Sequence, residues 1–353
     1  MSHSEQLRSR VEQELRKFLR EQGEELTGVD DNLVHPLELL ADLLAGGKRL
    51  RPAFCYWGWR GAGGEDGDEI VTAAAALELL QASAILHDDV MDDSDLRRGK
   101  PAAHRRFATL HRESGWSGSD EAFGRGGAIL LGDLCLSWSD QMLRQSGLPA
   151  ERLLPAMSYF DTMRAEVMAG QYLDLVIQGS GAESSLEFAL RVLRFKSAKY
   201  TVERPLQLGG ALAGGTPELL AAYSAYGLPL GEAFQLRDDI LGVYGDPAVT
   251  GKPAGDDLRE GKRTVLVAKT RENATPEQAE RLEACLGDPK LTTEQVADAR
   301  EIIVATGALA AVERLIDELT DQAYAALAAA PVVDDRARTA LEQLVTAATK
   351  RSL

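Results

Sequence analysis

Two pairs of aspartates, each closing an apolar stretch, are the first places where this chain could do chemistry. The segment Ile70 to Ser94, IVTAAAALELLQASAILHDDVMDDS, ends in Asp88, Asp89, Asp92 and Asp93. On an α-helix, Asp88 and Asp92 stand about 40° apart and one turn from each other. Carboxylates at that spacing repel, and at a helix C-terminus they also oppose the macrodipole. A divalent cation removes both penalties. The second pair, Asp238-Asp239, follows Phe234-Gln235-Leu236-Arg237 and again ends an apolar stretch. If the two helices pack side by side, four to six carboxylates face one cavity. Hard oxygen ligands favour Mg2+ over zinc, and Mg2+ held by a few carboxylates normally takes phosphate oxygens as its remaining ligands.

Basic residues occur where an anion needs them. Gly46-Gly47-Lys48-Arg49-Leu50-Arg51-Pro52 sets three cations beside flexible glycines, Arg97-Arg98-Gly99-Lys100 follows the first acid cluster, and Lys252 and Lys262 follow the second. A single basic run is most often solvated surface. Alternation of acidic and basic clusters along one scaffold is what a metal-bridged diphosphate site requires, with Mg2+ between carboxylate and phosphate and Arg or Lys on the other oxygens.

The elements that must position these groups read as helices. Apolar residues recur at three- and four-residue spacing, period-two alternation is scarce, and Ala and Leu outweigh Val and Ile. Helix starts are marked at Thr216-Pro217, at Thr275-Pro276-Glu277-Gln278 with a capping-box Gln, and near Thr292 or Thr293. A helix apolar on nearly every face, as before Asp88, is a buried one. The Gly- and Ser-rich segment from Glu113 to Gly127 reads as a mobile surface loop. One domain over residues 1–353 is expected, an all-α bundle of about ten or more helices, with the motif-bearing core at about 40–270 and further helices over about 271–353.

Composition narrows the function. The chain has 353 residues, 44% of them hydrophobic and 27% charged, with 55 acids against 39 bases and a net charge of −16. That balance excludes a disordered tail and argues against nucleic acid or an anionic membrane as partner. The first twenty residues carry charges throughout and are not expected to be a secretory signal. No uncharged apolar run reaches the roughly 18 residues needed to span a bilayer. Cys55, Cys135 and Cys285 are far apart and form no CxxC pair, so the reducing cytoplasm is the expected location.

The motifs GGKRLRP (46–52), LHDDVMDDSDLRRGKP (86–101), GQYLDL (170–175), FKSAKYT (195–201) and FQLRDDILGVYGDPAVTGKPAGDDLREGKRT (234–264) resemble those of the trans-isoprenyl diphosphate synthases of the polyprenyl synthetase family, bacterial geranylgeranyl diphosphate synthases among them. The resemblance implies the isoprenoid synthase fold, helices around a deep central cavity, and a Mg2+-dependent, head-to-tail condensation of an allylic diphosphate with isopentenyl diphosphate. By motif, Asp88, Asp92 and Asp238 resemble the ligands of three Mg2+ ions, for which Mn2+ is an acceptable substitute, with Asp89 and Asp239 in support. Arg97, Lys196, Lys252 and Lys262, with Gln171 and Asp174, resemble the allylic diphosphate site. Lys48, Arg51, Gln81 and Arg98 resemble the isopentenyl diphosphate site. Phe234 and Gln235 are expected to line the reacting end, with the carbonyl of Lys196, the Ser197 hydroxyl and Gln235 stabilising an allylic cation. A homodimer is implied by the family alone. One departure stands out: the third acid of the second motif is replaced by Gly242, and Asp246 is the nearest substitute in sequence.

Product length follows from helix pitch. An isoprene unit of about 5 Å is close to one α-helical turn of about 5.4 Å. The residues four and five before Asp88 are Ala84 and Ser83, both small, so a chain growing past them reaches Leu79 and Leu80 as an expected floor. That points to geranylgeranyl diphosphate, with farnesyl or a longer polyprenyl diphosphate as the alternative. Two readings of another class are a class I terpene cyclase and a non-catalytic subunit of a heteromeric synthase. The second Asp pair and GGKRLRP speak against the cyclase, and two largely intact acid clusters speak against the subunit.

Overall fold

The structure, a computed structural model, describes residues 3–179, 185–245, 255–288 and 290–350. The helices are α1 (His3–Thr27), α2 (Val34–Leu44), α3 (Leu50–Gly61), α4 (Asp68–Met91), α5 (Ala103–Glu113), α6 (Asp120–Arg144), α7 (Ala150–Gly179), α8 (Leu186–Val192), α9 (Arg204–Leu212) and α10 (Pro217–Tyr244). They continue with α11 (Asp256–Arg259), α12 (Val265–Asn273), α13 (Pro276–Cys285), α14 (Thr293–Ala305), α15 (Ala308–Ala329) and α16 (Asp335–Thr349). The all-α expectation holds. Among the described residues the only strands are β1 (Leu96–Arg97) and β2 (Lys100–Pro101), an antiparallel hairpin. Its two-residue turn, Arg98-Gly99, has φ of 53° and 73°, the left-handed pair that a tight hairpin demands.

α4 runs through the middle of the larger of two apolar clusters, packed on α6, α3, α1 and α2. It is long and apolar enough to cross a membrane, but 72% of that stretch is buried inside the molecule. Leu77, Leu79, Leu80 and Leu86 are almost wholly buried, each stabilising the fold by about 2 kcal/mol. That outweighs the several tenths of a kcal/mol lost per carboxylate at a helix C-terminus. An acidic end on an otherwise apolar helix is therefore affordable. The smaller cluster gathers the C-terminal half of α10 with α11 to α14 and the first half of α15.

Between α8 and α9 the chain stays helical but widens into an eleven-residue π-helix, Leu193–Glu203. α7 and α10 approach it so closely that a Cβ at Gly170 would lie 2.3 Å from the Lys196 nitrogen, and one at Gly231 2.5 Å from the Ala198 carbonyl oxygen. On its outer side Glu166 of α7 accepts from Lys199 (3.0 Å) and from Arg204 (2.7 Å).

The three helix starts form as expected. Thr216 caps Leu219, and Thr275 with Gln278 and Thr292 with Gln295 make capping boxes. The segment from Glu113 to Gly127 needs correction, because only Ser114–Ser119 lies between helices. Ser119 caps the backbone of Ala122, and Asp120 and Glu121 favour the first turn of α6. Glycine inside that helix reflects packing, since a Cβ at Gly124 would meet the His104 carbonyl oxygen. The three cysteines are buried and unpaired.

Candidate active site

A cavity of about 840 Å3 opens between the two clusters, lined from the start of α3 and from α4, α7, α8, the π-helix, α10, α11 and α12. At the end of α4, the Gln171 amide donates to Asp88 Oδ1 (2.8 Å), and Lys196 Nζ lies 3.2 Å from the same oxygen and 2.6 Å from Asp174 Oδ2. Arg97, aimed inward by the β-hairpin, pairs with Asp89 through Nε (2.9 Å) and Nη2, and stands 3.6 Å from Asp88 Oδ2. Burial disfavours the Asp88 charge, but Lys196, Lys262 and Arg97 together hold its pKa below the usual carboxylate value. Asp92 caps α4, its two carboxylate oxygens buried and without a hydrogen-bond partner. Burial and the charge of Asp88 push it up to about 6. Asp93 takes the left-handed residue of a Schellman turn, with Ser94 N–H on the Asp89 carbonyl (3.0 Å), and turns away to Arg105 (3.1 Å).

The second acid cluster faces the first across the cavity. Asp238, Asp239, Gly242, Asp256 and Asp257 all line it. Gln235 donates its amide to Asp239 (2.8 Å). Burial, only partly offset by that bond and reinforced by Asp257 and Asp238, pushes Asp239 up to about 8. Lys262 reaches in with Nζ 3.5 Å from Asp257 and 2.5 Å from Glu260. Ser94 donates to Glu260 (3.2 Å), so the loop after the first cluster touches the segment after the second. Lys252 and Asp246 lie outside the described residues. Arg237 points away from the cavity to Glu313 and to the Thr349 carbonyl, tying α10 to the end of α16.

The π-helix explains how α8 and the following turns line the cavity. Ala189, Leu193, Ser197 and Thr201 face it at every fourth position, as do Val192, Lys196 and Tyr200. In an α-helix each such step drifts about 40°, so three would turn Thr201 away by about 120°. The wider π turn reduces that drift, which is why such segments recur at functional sites. Arg51 donates to Thr201 (2.8 Å) and stacks over Tyr200 at 4.3 Å. Lys48 and Gln81 line the same end, and Gln81 Oε1 is buried without a partner. Arg98 lies outside the lining, donating to the Leu43 carbonyl (3.3 Å).

Several residues of the site were not singled out from sequence. Arg49 turns inward, in a left-handed conformation at φ 53°, to pair with buried Glu78 and the Leu44 carbonyl. Arg49 is itself off the cavity wall, which Tyr200, Thr201, Asp257 and Lys350 do line. The first three sit inside quoted motifs, where spacing to Lys196 and Lys262 was the available signal.

The family model described as polyprenyl synthetase matches residues 35–303. The chain belongs to the polyprenyl synthetase family. It is a prenyltransferase of isoprenoid synthesis. Its fold resembles that of geranylgeranyl pyrophosphate synthase from Corynebacterium glutamicum, whose crystal structure is complexed with isoprenyl diphosphate and magnesium, with a TM-score of 0.94 and 41% identity over 99% of this chain and 100% of that one. The chain is also 35% identical to octaprenyl diphosphate synthase from Escherichia coli, over 81% of each. To geranylgeranyl diphosphate synthase from Saccharolobus solfataricus it is 33% identical over 73% of each.

For a member of this family the donor set suits Mg2+. Every candidate ligand is a carboxylate oxygen, and the two buried oxygens of Asp92 have no protein partner, a costly arrangement without a cation. Among the described residues no three carboxylate, His or Cys side chains are gathered tightly enough to hold a metal unaided. Of the four residues expected to set product length, Ala84 lies on the cavity wall. On α4 the cavity is lined by Gln81, Ala84, Ile85 and Asp88, whereas Ser83, Leu79 and Leu80 are buried off its surface. Helical geometry places Leu79 about 180° from Asp88, and puts Leu80 and Ser83 on the stripe of His87, which packs against Gly132 of α6.

Proposed function

We propose that this prenyltransferase condenses isopentenyl diphosphate with an allylic diphosphate, head to tail and trans, to give geranylgeranyl diphosphate. The observation that carries it is one cavity lined by Asp88 of the first acid cluster, by Asp238 and Asp239 of the second, and by two separate sets of basic groups. Asp88 and Asp92, with Asp89, would hold two Mg2+ ions, and Asp238, with Asp239, a third. Bound Mg2+ supplies stabilisation of charge on the departing diphosphate. Arg97, Lys196 and Lys262, with Gln171 and Asp174 orienting them, bind the allylic diphosphate, joined by Lys252. Lys48, Arg51 and Gln81 on the cavity wall bind isopentenyl diphosphate, and Arg98, whose guanidinium lies beside Gly47 just off that wall, turns in to join them.

The allylic C–O bond then ionises. Gln235 has committed its amide to Asp239, which leaves its carbonyl oxygen, with the Ser197 hydroxyl and the Lys196 carbonyl, to face the electron-poor carbon. Phe234, Leu193 and Val192 keep the reacting end apolar, where such fixed dipoles act strongly. The isopentenyl double bond attacks, a C–C bond forms, and the departing diphosphate takes the proton.

The test supplies dimethylallyl, geranyl and farnesyl diphosphate separately, with isopentenyl diphosphate and Mg2+, and measures product chain length. Twenty-carbon product from each primer is expected, and none from farnesyl diphosphate alone. Hydrocarbon released from farnesyl diphosphate without isopentenyl diphosphate would instead establish a cyclase. Ala84→Phe, directly on the wall, should shorten the main product to fifteen carbons. An unchanged product in that variant sinks this account of length. Shortening by Ser83→Phe as well would show that the growing chain follows the seam between α4 and α6.

A further inference from the structure

Away from the cavity, the π-helix carries a set of paired charges that the proposed reaction does not use. Glu166 of α7 accepts from Lys199 Nζ (3.0 Å) and, through both oxygens, from Arg204 Nε (2.7 Å) and Nη2 (2.8 Å). Lys199 also stands 3.3 Å from Glu203 Oε2, and Glu203 accepts from the Ser224 hydroxyl of α10. Arg204 donates to Gln207 of α9 (2.7 Å), whose amide donates to the Leu220 carbonyl of α10 (3.1 Å). The side chains of Glu166, Lys199, Glu203 and Arg204 are at most 16% exposed. Burial disfavours the Glu166 charge, but Arg204 and Lys199 hold its pKa below the usual carboxylate value. Buried ion pairs seldom stabilise a fold more than apolar residues of the same volume, and their best attested use is to fix a register.

Helical geometry shows which register these charges fix. In an α-helix Lys199 would stand about 60° and Glu203 about 20° from Lys196, on the side of the cavity. The wider π turn carries both to the far side, and its last turn closes where Arg204 N–H donates to the Lys199 carbonyl. We infer that Glu166, Lys199, Glu203 and Arg204 are positioning residues whose pairing holds Leu193–Glu203 in the π register, and so keeps Lys196, Ser197, Tyr200 and Thr201 on one wall. None of the four lines the cavity. Their effect on the reaction rests on the function proposed above. A slip toward α geometry accumulates along the segment. It therefore displaces Thr201, which accepts from Arg51, more than Lys196, which lies nearer the start.

The experiment compares the full wild-type chain with Glu166→Gln, which is isosteric, and with Lys199→Gln, the other end of the same pair. Amide hydrogen exchange read by mass spectrometry follows the segment without substrate, and steady-state kinetics follow each diphosphate. In both variants exchange over residues 193–203 should speed up by about 10-fold, with α4 and α6 protected as in the wild type. The KM for isopentenyl diphosphate should rise by about 10-fold and that for the allylic diphosphate by no more than about 2-fold. Lys199→Arg keeps the charge and should match the wild type in both readings. Wild-type exchange over 193–203 in both glutamine variants overturns the inference and leaves the close approach of α7 and α10 to set the register. Protection lost throughout α4 to α10, or equal rises in the two KM values, overturns it as well, because either marks general loosening. Faster exchange confined to 193–203 in a chain whose wild type condenses no substrate upholds the inference and overturns the proposed function alone.

Discussion

At the end of α4, Asp88 has Lys196 and Arg97 within 3.6 Å and feels Lys262 besides. At the end of α10, burial and the charges of Asp257 and Asp238 act against the Asp239 carboxylate, and Gln235 and Lys262 are among the groups that offset them. Equal motifs therefore sit in unequal fields. Asp88 keeps its charge before any ligand arrives, held by basic groups that the proposed function then re-partners with a diphosphate. Asp239 is pushed up to about 8 by burial and its acidic neighbours, so a cation there has to compete with a proton. A shared spacing of acids does not by itself give two equivalent sites; the bases that other helices bring decide how each is charged.

The comparison is broken most directly by removing one acid from each side. Asp88→Ala should lower kcat/KM by about 1,000-fold and Asp239→Ala by about 100-fold, within the range seen when a preorganised electrostatic contact is lost. Circular dichroism should show the fold retained in both. Equal losses would mean that the unequal charging has no catalytic consequence. Lys196→Ala leaves Asp88 and Asp174 facing each other without the lysine between them. We expect a loss of about 50-fold in kcat/KM for the allylic substrate, with the KM for isopentenyl diphosphate nearly unchanged. A loss shared equally by both substrates would place Lys196 between the two diphosphates rather than on the first.

The acid clusters were legible in the sequence because charge at the end of an apolar helix is an anomaly that one dimension displays. Capping boxes at Thr275 and Thr292 were legible for the same reason, since their partners lie three residues away. What stayed hidden depends on neighbours far along the chain. The inward turn of Arg49 toward Glu78 looked like one more base in a run. The π-helix reads as ordinary helix in sequence, and the helices packed closely on it at Gly170 and Gly231 come from other parts of the chain. Gly242 was visible as a missing acid, yet nothing in one dimension shows that a Cβ there would meet Asp257.

The smallest expected effect is on stability, and it separates the clusters by pH. An ordinary aspartate titrates near 3.9, whereas burial and its acidic neighbours raise Asp239 to about 8 and Asp92 to about 6. A carboxyl raised in the folded state binds its proton more tightly there than in the unfolded chain. Its contribution is therefore fully present below about pH 4 and is lost as pH rises through the folded value. Without metal, the melting temperature should fall by roughly 2–4 °C between pH 5 and 8. Divalent cations bind the deprotonated form, so stabilisation by Mg2+ with pyrophosphate should grow over the same interval. Asp239→Asn should flatten the metal-free profile above pH 6, where Asp92 has already titrated, while Asp88→Asn should not, because Asp88 is held below the ordinary value. Thermal unfolding followed at half-unit pH steps, with and without Mg2+ and pyrophosphate, reads both slopes. If Asp88→Asn flattened the profile and Asp239→Asn left it steep, the assignment of charge to the first cluster and proton to the second would have to be reversed.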